Sequence, residues 1–370
     1  MKRIALLVAA LPFLYAASAS ADVVVKIGHA GPTTGPIGHI GKDGENGARL
    51  AIEDANAKGV TIGGQKVKFE LVGEDDQADP KTATIVAQRL VDGGVKGVVG
   101  HVTSGASIPA SRIYEQAGIP VITPSSTSPK LTQQGYKVTY RVIANDLQQG
   151  VAMAAFAKKL GIKTIAIIDD RTAYGQGLAD ALEASAKKEG ISVVGREYTN
   201  DKATDFTSIL TKIKGKTPDA IFYGGMDAQA SPMLKQVRQL GLKSRFLGGD
   251  GVCTTDMPKL AGSAMDENVM CTMAGIAKEK MPGGVKFYER FKQRFNTDVQ
   301  LYAPYSYDAA MTLIEAMKLA NSVEPAKYLP AMQKLTYKGI TGNISFDAKG
   351  DIKEGGVTLY TYKDGKWVAQ

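Results

Sequence analysis

Gly97 to Thr127 reads GVVGHVTSGASIPASRIYEQAGIPVITPSST, and Ala220 to Gly251 reads AIFYGGMDAQASPMLKQVRQLGLKSRFLGGDG. Both stretches run through a short apolar strand, a small polar loop, an amphipathic helix, a Gly-Ile or Gly-Leu stop, a second strand and a second small polar loop. Gly100 and Gly118 lie 18 positions apart, and Gly224 and Gly241 lie 17 apart. The recurrence predicts two lobes of one topology, each offering two loops at the C-terminal ends of its strands. In open α/β sheets that edge is where ligands bind.

Outward from these stretches the same alternation continues. From Asp22, the segments VVVKIGH, GENGARLAIEDANAKG, VKFELVGED, PKTATIVAQRLVDGG and GVVGHV follow βαβα order, which implies a parallel sheet covered by helices. Gly47 to Ala57 places Ala48, Ala51, Ile52 and Ala55 on one face, and Gly59 stops that helix. Pro80 opens the next, where its missing N–H costs nothing. The order resumes after Asn145 with TIAIIDD, AYGQGLADALEASAKKEG, ISVVGREY, FTSILTKIKG and DAIFYGG. Beyond Cys271 come further helical stretches, including PGGVKFYERFKQRF and YSYDAAMTLIEAMKLA, then two late strands, GNISFD and GVTLYTYKDGKW, joined by an Asp-Gly turn. The fold class is α/β with two lobes, each a parallel-rich sheet flanked by helices.

The first 21 residues have the basic, apolar, small-residue order of a secretory signal peptide: Met1-Lys2-Arg3, an apolar run from Ile4 to Ala17, then Ala19-Ser20-Ala21. The apolar run is too short for a spanning helix, and no cysteine follows it to carry a lipid anchor. Cleavage after Ala21 leaves 349 residues, a length that suits two domains. It also lowers the net charge from +8 to +6. The lysines are scattered, with no basic stripe and interleaved aromatics of the kind nucleic-acid binding requires. Cys253 and Cys271, an even pair in an exported chain, read as one disulfide, the rival being two buried free thiols.

Several residues could carry chemistry. Thr103, Ser104 and Gly105 stand where a buried strand enters a helix, so unpaired N–H groups and the local field favour an anion there. The bland alternative is that Thr103 or Ser104 only caps the helix. A second hydroxyl-rich loop, Thr123 to Pro129, contains Ser125 and Thr127 and would lie beside the first; its alternative is ordinary turn chemistry. From the other lobe, Asp250 ends a strand and Tyr174 lies between a strand and a helix. An acid facing a hydroxyl-lined anion pocket suits a zwitterion, because ammonium and carboxylate each meet opposite charge. Asp250 could equally be a solvated turn residue. Asp227, in the place equivalent to Ser104, competes with it for the ammonium.

Other chemistries lack their usual signatures. His29, His39 and His101 have no zinc spacing. His101 precedes Ser104 by three residues, yet no GxSxG elbow is present, and His101 is expected to pack structurally at the strand end. Glu74-Asp75-Asp76 and Asp169-Asp170 lack a calcium-loop pattern and read as turn caps and solvated edges. No phosphate-binding glycine motif occurs, so no nucleotide, metal or other cofactor is expected.

With those residues in place, the chain resembles the leucine/isoleucine/valine-binding proteins of bacterial ABC transporters, which are type I periplasmic binding proteins. The resemblance runs over nearly the whole exported length and rests on IGHAGPTTGPIGHIGKDGENGARLAIEDANAKG, GEDDQADPKTA, VVGHVTSGASIPASRIYEQAGIPVITPSSTSPKLT, DDRTAYGQGLAD, DFTSIL, FYGG, and GDGV with its following LAG. It implies a Venus-flytrap architecture with three crossovers, near residues 145, 273 and 350. One lobe would comprise 22–145 and 274–350, the other 146–273 and 351–370. It also implies a monomer that carries a small amino acid to an inner-membrane permease and performs no catalysis. By position, Ser104, the nearby amides and Thr127 would hold the ligand carboxylate. The Ser125 carbonyl, the Thr127 hydroxyl and Asp250 would hold the ammonium, and Tyr174 would help close the site. The chain departs from the family pattern at Ile40 and Met226, where the side-chain pocket often has aromatics, and at Asp250, where the best-known members carry Glu. Those departures leave open another small carboxylate or amide as ligand, for transport or sensing. Ile40 and Met226 could also simply be core.

Overall fold

A computed structural model of the chain describes residues 22–370; the leader read over residues 1–21 lies outside the described residues. The first half of the chain folds as β1 (Val23–Gly31), α1 (Gly38–Lys58), β2 (Val60–Ile62), β3 (Gln65–Asp75), α2 (Pro80–Asp92), β4 (Gly97–Gly100), α3 (Ser104–Ala117), β5 (Val121–Thr123), α4 (Lys130–Gln133) and β6 (Thr139–Arg141). A second unit follows: α5 (Asp146–Lys159), β7 (Thr164–Asp169), α6 (Ala173–Lys188), β8 (Ser192–Tyr198), α7 (Thr207–Lys214), β9 (Ala220–Gly224), α8 (Asp227–Gln239), β10 (Arg245–Gly248), α9 (Met257–Ala261) and β11 (Val269–Met273). The remainder is α10 (Gly284–Phe295), α11 (Ala303–Leu319), α12 (Pro325–Met332), β12 (Tyr337–Lys338), β13 (Asn343–Ile344), β14 (Thr358–Lys363) and β15 (Lys366–Ala369).

The strands form two large sheets, ordered β2-β3-β1-β4-β5-β6 and β15-β14-β11-β10-β9-β7-β8. Stripped of its antiparallel additions, each has the same doubly wound order: β3-β1-β4-β5-β6 in one lobe and β8-β7-β9-β10-β11 in the other, all parallel. The repeat seen in the sequence is therefore a repeat of topology. Strands β4 and β9 are buried along their whole length, as parallel strands covered on both faces must be.

Local chemistry sets the helix ends. The Asp79 carboxylate accepts the Thr82 N–H at 2.7 Å with Pro80 behind it, Asn145 and Gln148 form a reciprocal capping box on α5, and the Thr172 hydroxyl accepts the Gly175 N–H. Helix α1 departs from expectation. It begins at Gly38, nine positions before Gly47, through a glycine-rich stretch of low intrinsic helix propensity. Tertiary packing requires those glycines: a methyl group at Gly41 would collide with the Pro32 carbonyl, and one at Gly47 with the main chain of Ala303 in α11.

After the second unit the chain returns to the first, where α11 packs along α1 and against β4 and β5. It then crosses again, and β14 joins β11 antiparallel. The late strands differ from the sequence reading. GNISFD supplies only β13, a two-residue pair with β12, and the Asp364-Gly365 turn joins β14 to β15, both within GVTLYTYKDGKW. Asp364 and Gly365 have φ of 50° and 80°, the conformation a two-residue hairpin demands. Cys253 and Cys271 are bridged, with Cα atoms 5.7 Å apart, tying the segment after β10 to β11. The acidic runs are also less exposed than expected. Asp76, Asp169 and Asp170 are buried, since their carboxylates are consumed by His101, by Arg196 and by the Thr172 amide and hydroxyl. Among the described residues no helix is long and apolar enough to cross a membrane.

Candidate functional site

The C-terminal edges of the two sheets face one another. On the first, Thr103 is the N-cap of α3 but its hydroxyl makes no capping bond; it is buried and has no hydrogen-bond partner among the described residues. Ser104, also buried, accepts from the Ser126 hydroxyl and from the Ser128 N–H, both at 3.2 Å. Capping therefore explains neither side chain. The hydroxyl-rich loop after β5 lies against them, as its place in the sequence predicts. Ser125 turns its hydroxyl to the Val102 carbonyl at 2.9 Å, whereas the Thr127 hydroxyl is buried without a partner. Arg141, fully buried at the end of β6, holds this loop by donating to the Ser126 and Ser128 carbonyls at 3.1 and 2.8 Å, and Asp351 neutralises it. Nothing in the sequence reading pointed to Arg141.

On the facing edge, Tyr174 in the first turn of α6 donates to Asp250 Oδ1 at 2.8 Å and accepts the Gly251 N–H at 3.0 Å. The flanking glycines make room for it. A side chain at Gly249 would strike the Tyr174 hydroxyl, and one at Gly251 the Met226 sulfur. Asp250 is buried rather than a solvated turn residue. Gln149 donates to its Oδ1 at 2.9 Å and is itself held by Thr272, while Tyr302 donates to its Oδ2 at 2.5 Å. Tyr302 comes from the other lobe, where it caps α11, and the buried Asp43 of α1 fixes it by accepting the N–H groups of Gln300, Leu301, Tyr302 and Ala303. Burial and the charge of Asp250 push both tyrosines well above the usual phenol range, so both act as neutral donors.

A second buried acid adjoins Asp250. Asp146, the first residue of α5, has one oxygen without a partner, and burial together with the charge of Asp250 pushes it up to about 8. Two adjacent buried carboxyls, each destabilised in its charged form, are a site that a cation relieves. Asp227 is placed differently. It is buried at the start of α8, where His39 of the opposite lobe stands 2.8 Å from its Oδ2 and the Thr254 hydroxyl donates to the same oxygen at 2.6 Å.

Between the lobes opens a cavity of about 620 Å³, lined by Thr103, Gly105 and Ile108 on one side and Tyr174, Met226 and Gln229 on the other. Its size is within the range of small-molecule sites. Of the residues singled out in the sequence, Thr103, Tyr174 and Met226 line this cavity; Ser104, Ser125, Thr127 and Asp250 are buried and are not among its lining residues, and Ile40 is fully buried in the core. His101 is likewise structural: Nδ1 is 2.7 Å from Asp76 and Nε2 is 3.0 Å from the Tyr114 hydroxyl, both buried, leaving neither nitrogen for Ser104. Of the groups missed in the sequence, Tyr302 carried the strongest signal, a tyrosine directly before the Ala303-Pro304 helix start.

Two doubly wound lobes enclosing a buried polar cleft define a ligand-capturing protein. Comparison with known sequences and structures makes the class specific. The family described as "Periplasmic binding protein" matches residues 24–366, and the chain belongs to it. The chain is 35% identical to the leucine-, isoleucine-, valine-, threonine- and alanine-binding protein of Pseudomonas aeruginosa, covering 94% of this chain and 92% of that one. Among solved structures it is similar to a leucine-binding protein, LivK, of Thermotoga maritima, with TM-score 0.86, 29% identity, and coverage of 94% of this chain and 97% of that one. The branched-chain amino acid transporter substrate-binding protein LivJ of Streptococcus pneumoniae, in complex with isoleucine, matches with TM-score 0.83 and 26% identity over 94% of this chain and all of that one.

Proposed function

We propose that this chain captures a branched-chain or related α-amino acid in the periplasm by closing its two lobes around it, and delivers it to an inner-membrane ABC permease without chemical change. The observation that carries this reading is the pairing of charge environments across the cleft. Ser104, the first amides of α3 and the orphaned Thr127 hydroxyl offer a carboxylate site, and the buried Asp250 opposite offers an ammonium site. Asp250 accepts three hydrogen bonds where a carboxylate has about four acceptor positions, leaving one for an ammonium. Asp227 keeps one buried oxygen without a partner among the described residues and is the rival acid; the bond from Tyr174, which lines the cavity, to Asp250 is what favours Asp250. The Ser125 carbonyl would share the ammonium, and the ligand side chain would extend past Met226 into the cavity. The leucine, isoleucine and valine specificities of the similar proteins supply the ligand class.

In this reading one lobe is 22–145 with 274–350, the other is 146–273 with 351–370, and a monomer hinges at the crossovers near 145, 273 and 350. Two contacts support this reading: the Ala144 N–H donates to the Ala274 carbonyl at 3.3 Å, and Arg141 pairs with Asp351. Titration calorimetry with leucine, isoleucine and valine, on protein stripped of ligand by unfolding and refolding, should show micromolar or tighter binding. Absence of binding across a full α-amino acid panel would sink the proposal. Binding of 4-methylpentanoate, which is leucine without its amino group, at undiminished affinity would transfer the reading to a carboxylate carrier. Ser104→Ala and Asp250→Ala should each weaken binding by about 1–3 kcal/mol, the cost of losing a contact to a charged group.

A further inference from the structure

We propose that His39 is a positioning residue for ligand capture: through Asp227 it latches the two lobes together and makes closure, and with it ligand affinity, strengthen on acidification. The inference rests on the closing-cleft reading above. His39 is the second residue of α1 in the first lobe, and Asp227 is the first residue of α8 in the second. They are 188 residues apart in the chain, and their side chains meet at 2.8 Å. The contact therefore exists only while the lobes are together.

The two partners are unequally placed. Asp227 is fully buried, its Oδ2 is shared with the Thr254 hydroxyl, and its Oδ1 has no partner among the described residues. His39 keeps 21% of its side chain exposed, so it can exchange protons with solvent. The charged groups acting on the imidazole are acidic: Asp227 on α8, Asp256 just before α9, and Asp43 one turn along α1. Lys259, the cation packed on α9, is tied to Asp256 at 2.6 Å. Burial works against the imidazolium, but the three acids outweigh it and hold His39 above the ordinary histidine value of 6.5.

The direction of the linkage follows. With the lobes apart, His39 loses Asp227 and returns toward its ordinary value. Protonation therefore favours the closed form. Its contribution is complete below the open-form value and is lost as pH rises through the closed-form value. Ligand that binds the closed form gains affinity over the same window, because the two equilibria are linked. Asp146 and the ligand's own ammonium also titrate in the alkaline range, but neither depends on the residue at position 39.

The test compares wild type with His39→Gln, whose amide can still donate to Asp227 but cannot titrate. Leucine binding would be measured by calorimetry from pH 5.5 to 8.5. In parallel, resonance energy transfer between dyes on the two lobes would follow closure of the ligand-free protein over the same range. The expected result is that the ratio of affinity at pH 5.5 to affinity at pH 8.5, and the same ratio for the closed population, is severalfold larger in wild type than in His39→Gln or Asp227→Asn, since the Asp146 contribution is common to all three. Superimposable pH profiles for wild type and His39→Gln in energy transfer would overturn the latch, whether or not leucine binds. Failure of leucine to bind at any pH, with a normal wild-type closure profile that His39→Gln abolishes, would overturn the proposed ligand and leave the latch supported.

Discussion

Tyr302→Phe removes one hydroxyl from the cleft and leaves the ring in place. That hydroxyl donates from the N-cap of α11 to Asp250 Oδ2 across the lobes, while Tyr174 and Gln149, both on the far side, keep Asp250 seated through its other oxygen. A hydrogen bond to a charged group contributes about 1.5–3 kcal/mol. Because the bond forms only with the lobes together, the loss falls on closure and not on the folding of either lobe. At 1.4 kcal/mol per tenfold, leucine should bind about 10- to 150-fold more weakly. Calorimetry of the stripped protein reads the affinity, and urea denaturation without ligand checks that the lobes are intact. Affinity within about twofold of wild type would refute the reasoning, since a bond of this kind cannot be lost so cheaply from the bound state. A matching drop in ligand-free stability would refute it differently, by showing that Tyr302 holds the fold together.

Two predictions concern stability. Replacing Cys253 and Cys271 together by serine opens a link between residues 18 apart and should destabilise the protein by about 3 kcal/mol on the loop-entropy relation, read from the urea midpoint; an unchanged midpoint would contradict it. Asp146 is held near 8 in the folded protein against an ordinary 3.8, so between those values the native state keeps a proton that the unfolded chain has released. Ligand-free stability should therefore fall as pH rises from about 4 to 8, and Asp146→Asn should flatten that slope. Denaturation curves of equal slope for the two proteins would show that Asp146 is ionised throughout.

Much of the architecture was legible because it is written in local chemistry. The glycine-bounded repeat at Gly100 and Gly224 placed Thr103-Ser104 and Met226-Asp227 at equivalent helix starts, and both pairs do open helices, α3 and α8. The first turn of α1 was not legible. Its glycines argue against helix locally, and only the main chains of Pro32 and Ala303 show why no larger residue fits. Asp76 was misjudged, and Ile40 was left open between pocket and core, for a related reason: burial depends on what arrives from elsewhere in the chain.

By itself, the sequence determined the parallel α/β lobes and their shared topology, and it narrowed Cys253 and Cys271 to a disulfide or two buried thiols. Periodicity, caps and turn residues act over a few positions, so a one-dimensional pattern records them. The tertiary structure alone decided which acid each partner meets: Tyr302 with Asp250, His39 with Asp227, and Asp146 left with an unpaired oxygen. The two cross-lobe pairs span 52 and 188 residues. No local rule sets such contacts, because they follow from how two separately wound sheets dock edge to edge.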